Sequence, residues 1–329
     1  MRLDRFVKKR YPKLPIGLVF KFLRKRKITL DGKRADAATR LKAAQTVLLW
    51  EDLQGYALPE DQHLRQAARA REGGHYKKNF RVLYEDEVII VVNKPVGIVV
   101  HPGPKHHKGD TLLDLLRVHL PEAFAPESTY QPGFVHRLDR ATSGVLMAAK
   151  TREAAKSLEA VFRTRLAHKK YLALVTGQSR HRRGRIEDPL IQRRTPDGIS
   201  RFVAVRDKKK LKALAGKMQS ARTMYEVRET FESTTLLEVE TESGRTHQIR
   251  AHLASIGLPL AGDGDYGERL LNRKLREKFG LERLFLHAAR IEIPHPSSGK
   301  PVEFTAPLPD ELDRVVQRLH AATEKSQRR

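Results

Sequence analysis

From Phe80 onward the chain is built of short strand-like runs that do not alternate regularly with helices, and this order most limits what it can fold into. Val82-Leu83-Tyr84, Val88 to Val92, Phe134-Val135, Val145 to Ala149, Tyr171 to Val175, Thr223 to Val227 and Leu236 to Val239 all have strand character. Helical patterns intervene, notably over Arg152 to Arg165 and Thr246 to Ser255. The expectation is an α+β fold with a mixed, mostly antiparallel sheet. Residues 191–220 are basic and polar and read as an extended insertion. The chain after Asp310 reads as an amphipathic helix that frays into charge.

The first fifty residues have a different texture. Leu3, Phe6 and Val7 share one helical face, and Pro15 suits the first turn of a second helix. Ile16, Val19, Phe20 and Leu23 follow at helical spacing, which predicts that this face is buried. Lys21, Arg24, Lys25, Arg26 and Lys27 lie elsewhere on this helix or just after it. Ile28-Thr29-Leu30, an Asp31-Gly32 turn and Val47-Leu48-Leu49-Trp50 then read as short strands. The basic run suits a solvated helix face, but its closeness to the turn favours a surface that reads phosphates. Polar residues 58–79, with Pro59 and Gly73-Gly74, read as a linker. The expected division is 1–57, the linker 58–79, a main domain 80–309 and a C-terminal helix and tail 310–329; a length of 329 residues suits two or three domains.

Lys and Arg number 64 against 39 Asp and Glu, a formal charge of +25. That excess suits a polyanionic partner, nucleic acid or an anionic membrane surface, better than a small substrate. The chain has no cysteine, which excludes disulfides, thiolate metal sites and cysteine nucleophiles. The longest apolar run, Val88 to Val100, is interrupted by Asn93, Lys94 and Pro95 and cannot span a bilayer. The basic N-terminus makes a poor secretory signal, since the apolar stretch from Leu14 to Leu23 is short and holds Lys21. A cytoplasmic, monomeric protein is expected.

Three constellations could carry chemistry. His136-Arg137-Leu138-Asp139, followed by Arg140-Ala141-Thr142-Ser143-Gly144, lies between two apolar strands, where a loop can display one acid on a rigid support. By composition alone such an aspartate is usually a turn former. Lys169-Lys170-Tyr171 opens a strand; its tyrosine suits a core aromatic or a ring that stacks on a base and presents its hydroxyl to a proton. Gly244 to Leu253 offers Thr246 as an N-cap and Ile249, Leu253 and Ile256 as a buried face, with Gly257 ending the helix. Its first turns hold Arg245, His247, Gln248, Arg250 and His252, more than capping needs, and suit either phosphate contacts or catalysis.

The sequence His136-Arg137-Leu138-Asp139 with Thr142-Ser143-Gly144 strongly resembles the catalytic motif of the RluA-type pseudouridine synthases. The resemblance continues, in order and spacing, through Asn93-Lys94-Pro95-Val96-Gly97, Tyr171 to Val175, Gly244 to Leu253, Gly262-Asp263, Tyr266-Gly267 and Leu286-His287-Ala288. Residues 2 to 50 resemble the alpha-L, S-four-type RNA-binding module that precedes many RNA-modifying domains. The resemblance implies an enzyme that turns uridines of structured RNA into pseudouridine, ribosomal RNA before transfer RNA, with no cofactor and no metal. It implies Asp139 as the nucleophile or anionic stabiliser, Arg250 as the buried cation that keeps Asp139 ionised, and Tyr171 as the stacking ring that moves the proton from carbon 5. It further implies Leu286 packing on the base, and Arg137 filling the gap when the uridine leaves its stack. His136, Arg245, His247, Gln248 and the basic residues Lys21, Arg24, Lys25, Arg26 and Lys27 are the remaining candidates for RNA contact.

Other readings stand beside this one. A non-catalytic RNA-binding or ribosome-assembly protein on the same scaffold would be marked by loss of Asp139 or Arg250, and both are present. A metal hydrolase would use His101, His106, His107 and Asp110, which match no established ligand spacing. A hydrolase built on Ser143, His136 and Asp139 lacks a nucleophile elbow around the serine.

Overall fold

A computed structural model describes residues 1–11, 14–42, 45–49, 80–102, 111–125, 128–194, 200–207 and 218–327. The chain forms two compact units, residues 1–76 with 114–129 and residues 77–113 with 130–329. The expected linker at 58–79 and the boundary at 57 lie outside the described residues.

In the first unit, helices α1 (Leu3–Arg10) and α2 (Ile16–Arg24) precede an antiparallel pair, β1 (Ile28–Leu30) and β2 (Val47–Leu49). Leu3, Val7, Tyr11, Leu14, Val19, Leu23 and Ile28 form the core. Asp31 and Gly32 both adopt positive φ, 51° and 74°, and close a two-residue turn with Leu30 and Lys33 bonded in both directions. One expectation is corrected: Ile16 and Phe20 are exposed, at 47% and 41%, while Val19 and Leu23 are buried. Apolar residues stand almost all the way round α2, so spacing alone does not select the buried face.

The second unit is built on a ten-stranded sheet. Its strands are β3 (Arg81–Glu85), β4 (Ile89–Lys94), β5 (Gly133–Phe134), β6 (Ser143–Ala149), β7 (His168–Thr176), β8 (Arg183–Ile186), β11 (Thr223–Thr230), β12 (Thr234–Thr241), β13 (Leu286–Pro294) and β14 (Pro301–Thr305). The order is β3-β4-β6-β13-β7-β12-β11-β8, with β14 on β13 and β5 on β6. Among the described strand pairings of this sheet only β6 with β13 is parallel, so the sheet is mixed and mostly antiparallel, as the α+β expectation requires. A separate hairpin, β9 (Leu190–Arg194) with β10 (Ser200–Ala204), occupies the expected insertion.

Alternate residues of β7 serve two cores, as the strand's period of two dictates. Ala173 and Val175 join Leu237, Val239 and the buried Ile249 and Leu253 of α5 (Gln248–Ser255). Leu174 faces the other way, with Leu275 and Phe279 of α6 (Arg269–Phe279) and Leu312, Val315 and Leu319 of α7 (Asp310–Gln327). At the far side, α4 (Arg152–Arg163) lays Ala154, Leu158 and Val161 on Val91, Val145 and Met147. A further helix, α3, spans Leu112–His119. At the parallel seam Gly144 has φ 121°, and a Cβ there would stand 2.2 Å from the Ala288 carbonyl oxygen. Only glycine lets β6 and β13 approach so closely, and this seam fixes where the loop before β6 emerges.

Candidate active site

That loop carries Asp139. Phe134 of β5 and Ala148 of β6 are paired, so the chain between must turn back within a few residues. Leu138 is buried beneath the loop, and the Thr142 N–H donates to the Asp139 carbonyl at 3.0 Å. The Gly97 N–H donates to the Arg140 carbonyl at 2.8 Å, and Arg140 Nε returns a bond to the Gly97 carbonyl at 2.9 Å. The segment after β4 thus clamps the residue next to Asp139. The carboxylate itself keeps 21% side-chain exposure, enough to meet a ligand. Beside it, Lys94 is fully buried and donates to the Pro95 and Ile98 carbonyls, both at 2.8 Å. Burial pushes its ammonium down to about 7, Arg283 adds to this, and Asp139 opposes it.

Asp139, Arg137, Tyr171, Thr241, His247, Arg250 and Leu286 line one cleft. Tyr171 sits mid-sheet, opposite Val239 on β12 and Ala288 on β13, which fixes its ring on the face where Asp139 stands. Burial pushes its hydroxyl up to about 12; a hydrogen bond with Thr241 opposes this, and the charge of Asp139 adds to it. The phenol is therefore neutral. Leu286, 4% exposed, provides an apolar wall, while Arg137 is exposed at the rim.

The helix start differs from expectation. Thr246 is not the N-cap: α5 begins at Gln248, and His247 precedes it in the left-handed conformation, φ 55° and ψ 19°. Gln248 takes over the bracing. Its Oε1 accepts from Ser243 Oγ at 2.8 Å and the Arg245 N–H at 3.1 Å, and its Nε2 donates to the Arg222 carbonyl and Thr223 Oγ1. At 3% exposure this amide has no capacity left for RNA, which corrects its expected role.

Arg250 is also placed differently from the expected partner of Asp139. Its Nε and Nη2 donate to Asp263 at 2.8 and 2.7 Å, and Nη2 reaches Asp265 at 2.6 Å. Its guanidinium lies 4.9 Å from the Tyr266 ring centroid. Burial opposes the charge, but Asp263, Asp265 and, more weakly, Asp139 outweigh it and hold the guanidinium protonated. Among the described residues, the cation-forming group within 4 Å of Asp139 is instead His247, whose Nε2 lies 3.9 Å from Oδ2. Burial lowers the His247 pKa; Asp139 opposes the shift and Arg250 adds to it.

His136 is corrected from RNA contact to scaffold. Its Nε2 accepts the Met147 N–H at 3.1 Å and its ring packs on Phe162 with centroids 4.9 Å apart. The Ser143 hydroxyl does not meet His136 at all: it bonds His287 Nδ1 at 2.9 Å and accepts from Arg283 Nη2 at 2.8 Å, in the buried seam between β6 and β13. Arg245 is exposed, its Nε donating to the Ser220 carbonyl at 3.4 Å. Lys21, Arg24, Lys25 and Arg26 are exposed in the first unit and Lys27 is half-buried there. His101 packs edge-on to Phe134, and its proposed co-ligands His106, His107 and Asp110 lie outside the described residues.

The family model described as RNA pseudouridylate synthase matches residues 88–255, the stretch that supplies Asp139, Tyr171 and Arg250. The chain belongs to the RNA pseudouridylate synthase family. It is 35% identical to "Ribosomal large subunit pseudouridine synthase C" of Escherichia coli O157:H7, over 98% of this chain and 93% of that protein. It is 32% identical to the protein of that name from Vibrio cholerae, over 98% of this chain and 94% of the relative. The solved structure of human RNA Pseudouridylate Synthase Domain Containing 4 superposes with a TM-score of 0.58 at 26% identity, covering 79% of this chain and 98% of that one. This pseudouridine synthase is thus an isomerase that acts on RNA uridines. Residue-level reasoning missed Asp263, Asp265 and Tyr266 as the groups that hold Arg250 beside its cleft. The signal was present in two carboxylates and a tyrosine between Gly262 and Gly267, but so short a glycine-bounded run reads as a turn.

Proposed function

We propose that this synthase isomerises uridines of large-subunit ribosomal RNA, with Asp139, Tyr171 and Arg250 as its reacting and charge-holding residues. The observation that carries the assignment is the convergence of a part-exposed carboxylate, a neutral half-buried phenol and a clamped guanidinium in one cleft. The choice of RNA rests on relatives whose names specify the ribosomal large subunit.

The reaction breaks the bond from the uracil nitrogen to the sugar, turns the base, and joins its carbon 5 to the anomeric carbon. No atom is gained or lost. Asp139 supplies the electron pair that attacks base or sugar, or it stabilises the positive charge that develops on the sugar. Tyr171 stacks on the uracil, with Leu286 on the base's other side; its phenol gives its proton toward the nitrogen released from the sugar and takes the carbon 5 proton in exchange. Attack by Asp139 removes its negative charge, and with it one contribution that holds the Tyr171 proton in place. Arg137, exposed at the rim, fills the stack that the flipped uridine vacates, at a flipping cost of a few kcal/mol. The first unit acts as the alpha-L anchor on RNA, in a monomer working in the cytoplasm. Pseudouridine mapping of ribosomal RNA from cells with and without this chain tests the proposal: one or more large-subunit positions should revert to uridine. An unchanged map of that RNA would sink it.

A further inference from the structure

Two hydrogen bonds lead from the hairpin β9–β10 to His247, whose ring faces Asp139, and their direction is set by chemistry. The Phe202 N–H of β10 donates to the Tyr266 hydroxyl oxygen at 3.0 Å. A backbone N–H can only donate, so the tyrosine oxygen accepts there. Its own proton then has His247 Nδ1, 3.1 Å away, as its acceptor among the described residues. With Nδ1 accepting, a neutral His247 carries its proton on Nε2. That nitrogen faces Asp139 Oδ2 at 3.9 Å.

The relay is built rather than incidental. His247 is held at positive φ, one of four non-glycine residues so placed among the described residues. Such strain persists where the surroundings over-determine it, and here it points the ring at the cleft. Tyr266 is fixed at both ends: its N–H donates to Asp263 Oδ1 at 3.1 Å, and its ring lies under Arg250. The hairpin is pinned nearby as Arg201 Nη1 donates to the Asp265 carbonyl at 2.9 Å. Phe202 also presents its ring edge-on to His247, centroids 6.5 Å apart.

We propose that Tyr266 and His247 are positioning residues that orient the Asp139 carboxylate from the β9–β10 hairpin, which makes that hairpin part of the catalytic apparatus. The proposal rests on Asp139 being the reacting group. The 3.9 Å approach is a resting geometry; contacts of this kind tighten when substrate fills the site. Asp139, Arg250, Asp265 and Asp263 are the charged groups that set the His247 protonation state. Neutral His247 offers one N–H to the carboxylate without neutralising it.

The test combines a spectrum and a rate. Nitrogen-15 histidine spectra of the RNA-free wild-type protein near pH 7.5 should show His247 protonated at Nε2, and Tyr266→Phe should lose that fixed tautomer. Tyr266→Phe should lower the single-turnover rate about ten- to a hundredfold with RNA affinity nearly unchanged, since misorientation costs rate and not binding. An Nδ1-protonated His247 in the wild type, an unchanged rate, or an affinity loss as large as the rate loss would each overturn the relay. Asp139→Asn run alongside separates the two ideas: turnover in that variant would remove the parent reading, whereas the wild-type tautomer bears on the relay alone.

Discussion

Arg250 and Asp263 meet through two parallel hydrogen bonds, Nε to Oδ2 at 2.8 Å and Nη2 to Oδ1 at 2.7 Å, with both side chains withdrawn from water. Oδ1 also accepts the N–H groups of Asp265 and Tyr266, so one carboxylate holds the guanidinium and the turn that faces it. A lysine at 250 cannot reproduce this fork. Arg250→Lys should therefore cut turnover on the order of a hundredfold or more while the protein stays folded. Asp263→Ala leaves a buried cation short of its main partner and should destabilise the fold by about 3–5 kcal/mol. Chemical denaturation and single-turnover assays check both; wild-type rates in Arg250→Lys would place the guanidinium outside the chemistry.

Asp139→Asn should abolish isomerisation and leave RNA binding near normal. The substitution keeps the shape of a side chain whose backbone is already held by Thr142 and by the Gly97–Arg140 clamp. What it removes is the negative charge, and with it the nucleophilic carboxylate oxygen. Tritium release from uridine labelled at carbon 5, with a parallel filter-binding measurement, reads the two effects separately. Turnover in the wild type should survive exhaustive chelation, and rescue by added metal would count against the proposed chemistry.

Tyr171→Phe should keep the stacking ring and lose the proton carrier. The ring's place between β12 and β13 does not depend on the hydroxyl, whose partner is Thr241. Turnover should fall by a factor on the order of a hundred or more, with affinity little changed. An unaltered rate would leave Tyr171 as a platform only.

Histidines that the fold holds neutral should make it sensitive to mild acid. Burial pushes His136 down to about 3, with Lys169 adding, and His287 down to about 4. His101, His247 and His252 are lowered by burial too. In the unfolded chain these rings titrate near about 6.5, so below that pH the unfolded state binds more protons than the folded one. Their contribution is complete above about pH 6.5 and is lost as pH falls toward the folded values. Carboxylates held below their ordinary range, such as Asp263, lose theirs only from about pH 4 downward. Melting temperature should therefore drop between pH 7 and 4.5. His136→Gln, whose amide oxygen can still accept the Met147 N–H, should flatten that drop; a flat wild-type profile would refute the account.

Much of this was legible in the sequence, and the rest fails for identifiable reasons. The strands around Asp139 read correctly because Ile89 to Val92 of β4 and Val145 to Ala149 of β6 are apolar runs buried on both faces. Thr246 reads as an N-cap because its side chain suits one, yet Gln248 does the bracing through bonds to Thr223 and Arg222, more than twenty positions earlier. The hairpin β9–β10 was opaque because its strands are short and basic, and its meaning lies in Tyr266, distant in sequence. His136 looked like an RNA contact from its place in the motif; only the fold reveals the Met147 N–H that occupies it.

The basic residues of the first unit invite a thermodynamic test. Lys21 and Arg24 end α2, and Lys25 and Arg26 follow it, all four exposed. Arg26 adopts φ 58°, which turns the chain back toward β1. If this edge grips RNA backbone, each phosphate it neutralises releases counterions, so binding must weaken with salt. Replacing Lys21, Arg24, Lys25 and Arg26 by glutamine should weaken binding at low salt and make the plot of log affinity against log salt shallower, by about 0.7–0.9 for each phosphate no longer neutralised. Lys27 is half-buried and stays unaltered in this set. At saturating RNA the single-turnover rate should match the wild type, because an anchor on phosphates takes no part in the chemistry. Titrations across a salt series, paired with single-turnover measurements, decide between the alternatives. Unchanged affinity and slope would mean that this edge does something other than hold RNA. Normal binding with abolished turnover would place it in the catalytic step, against this reading.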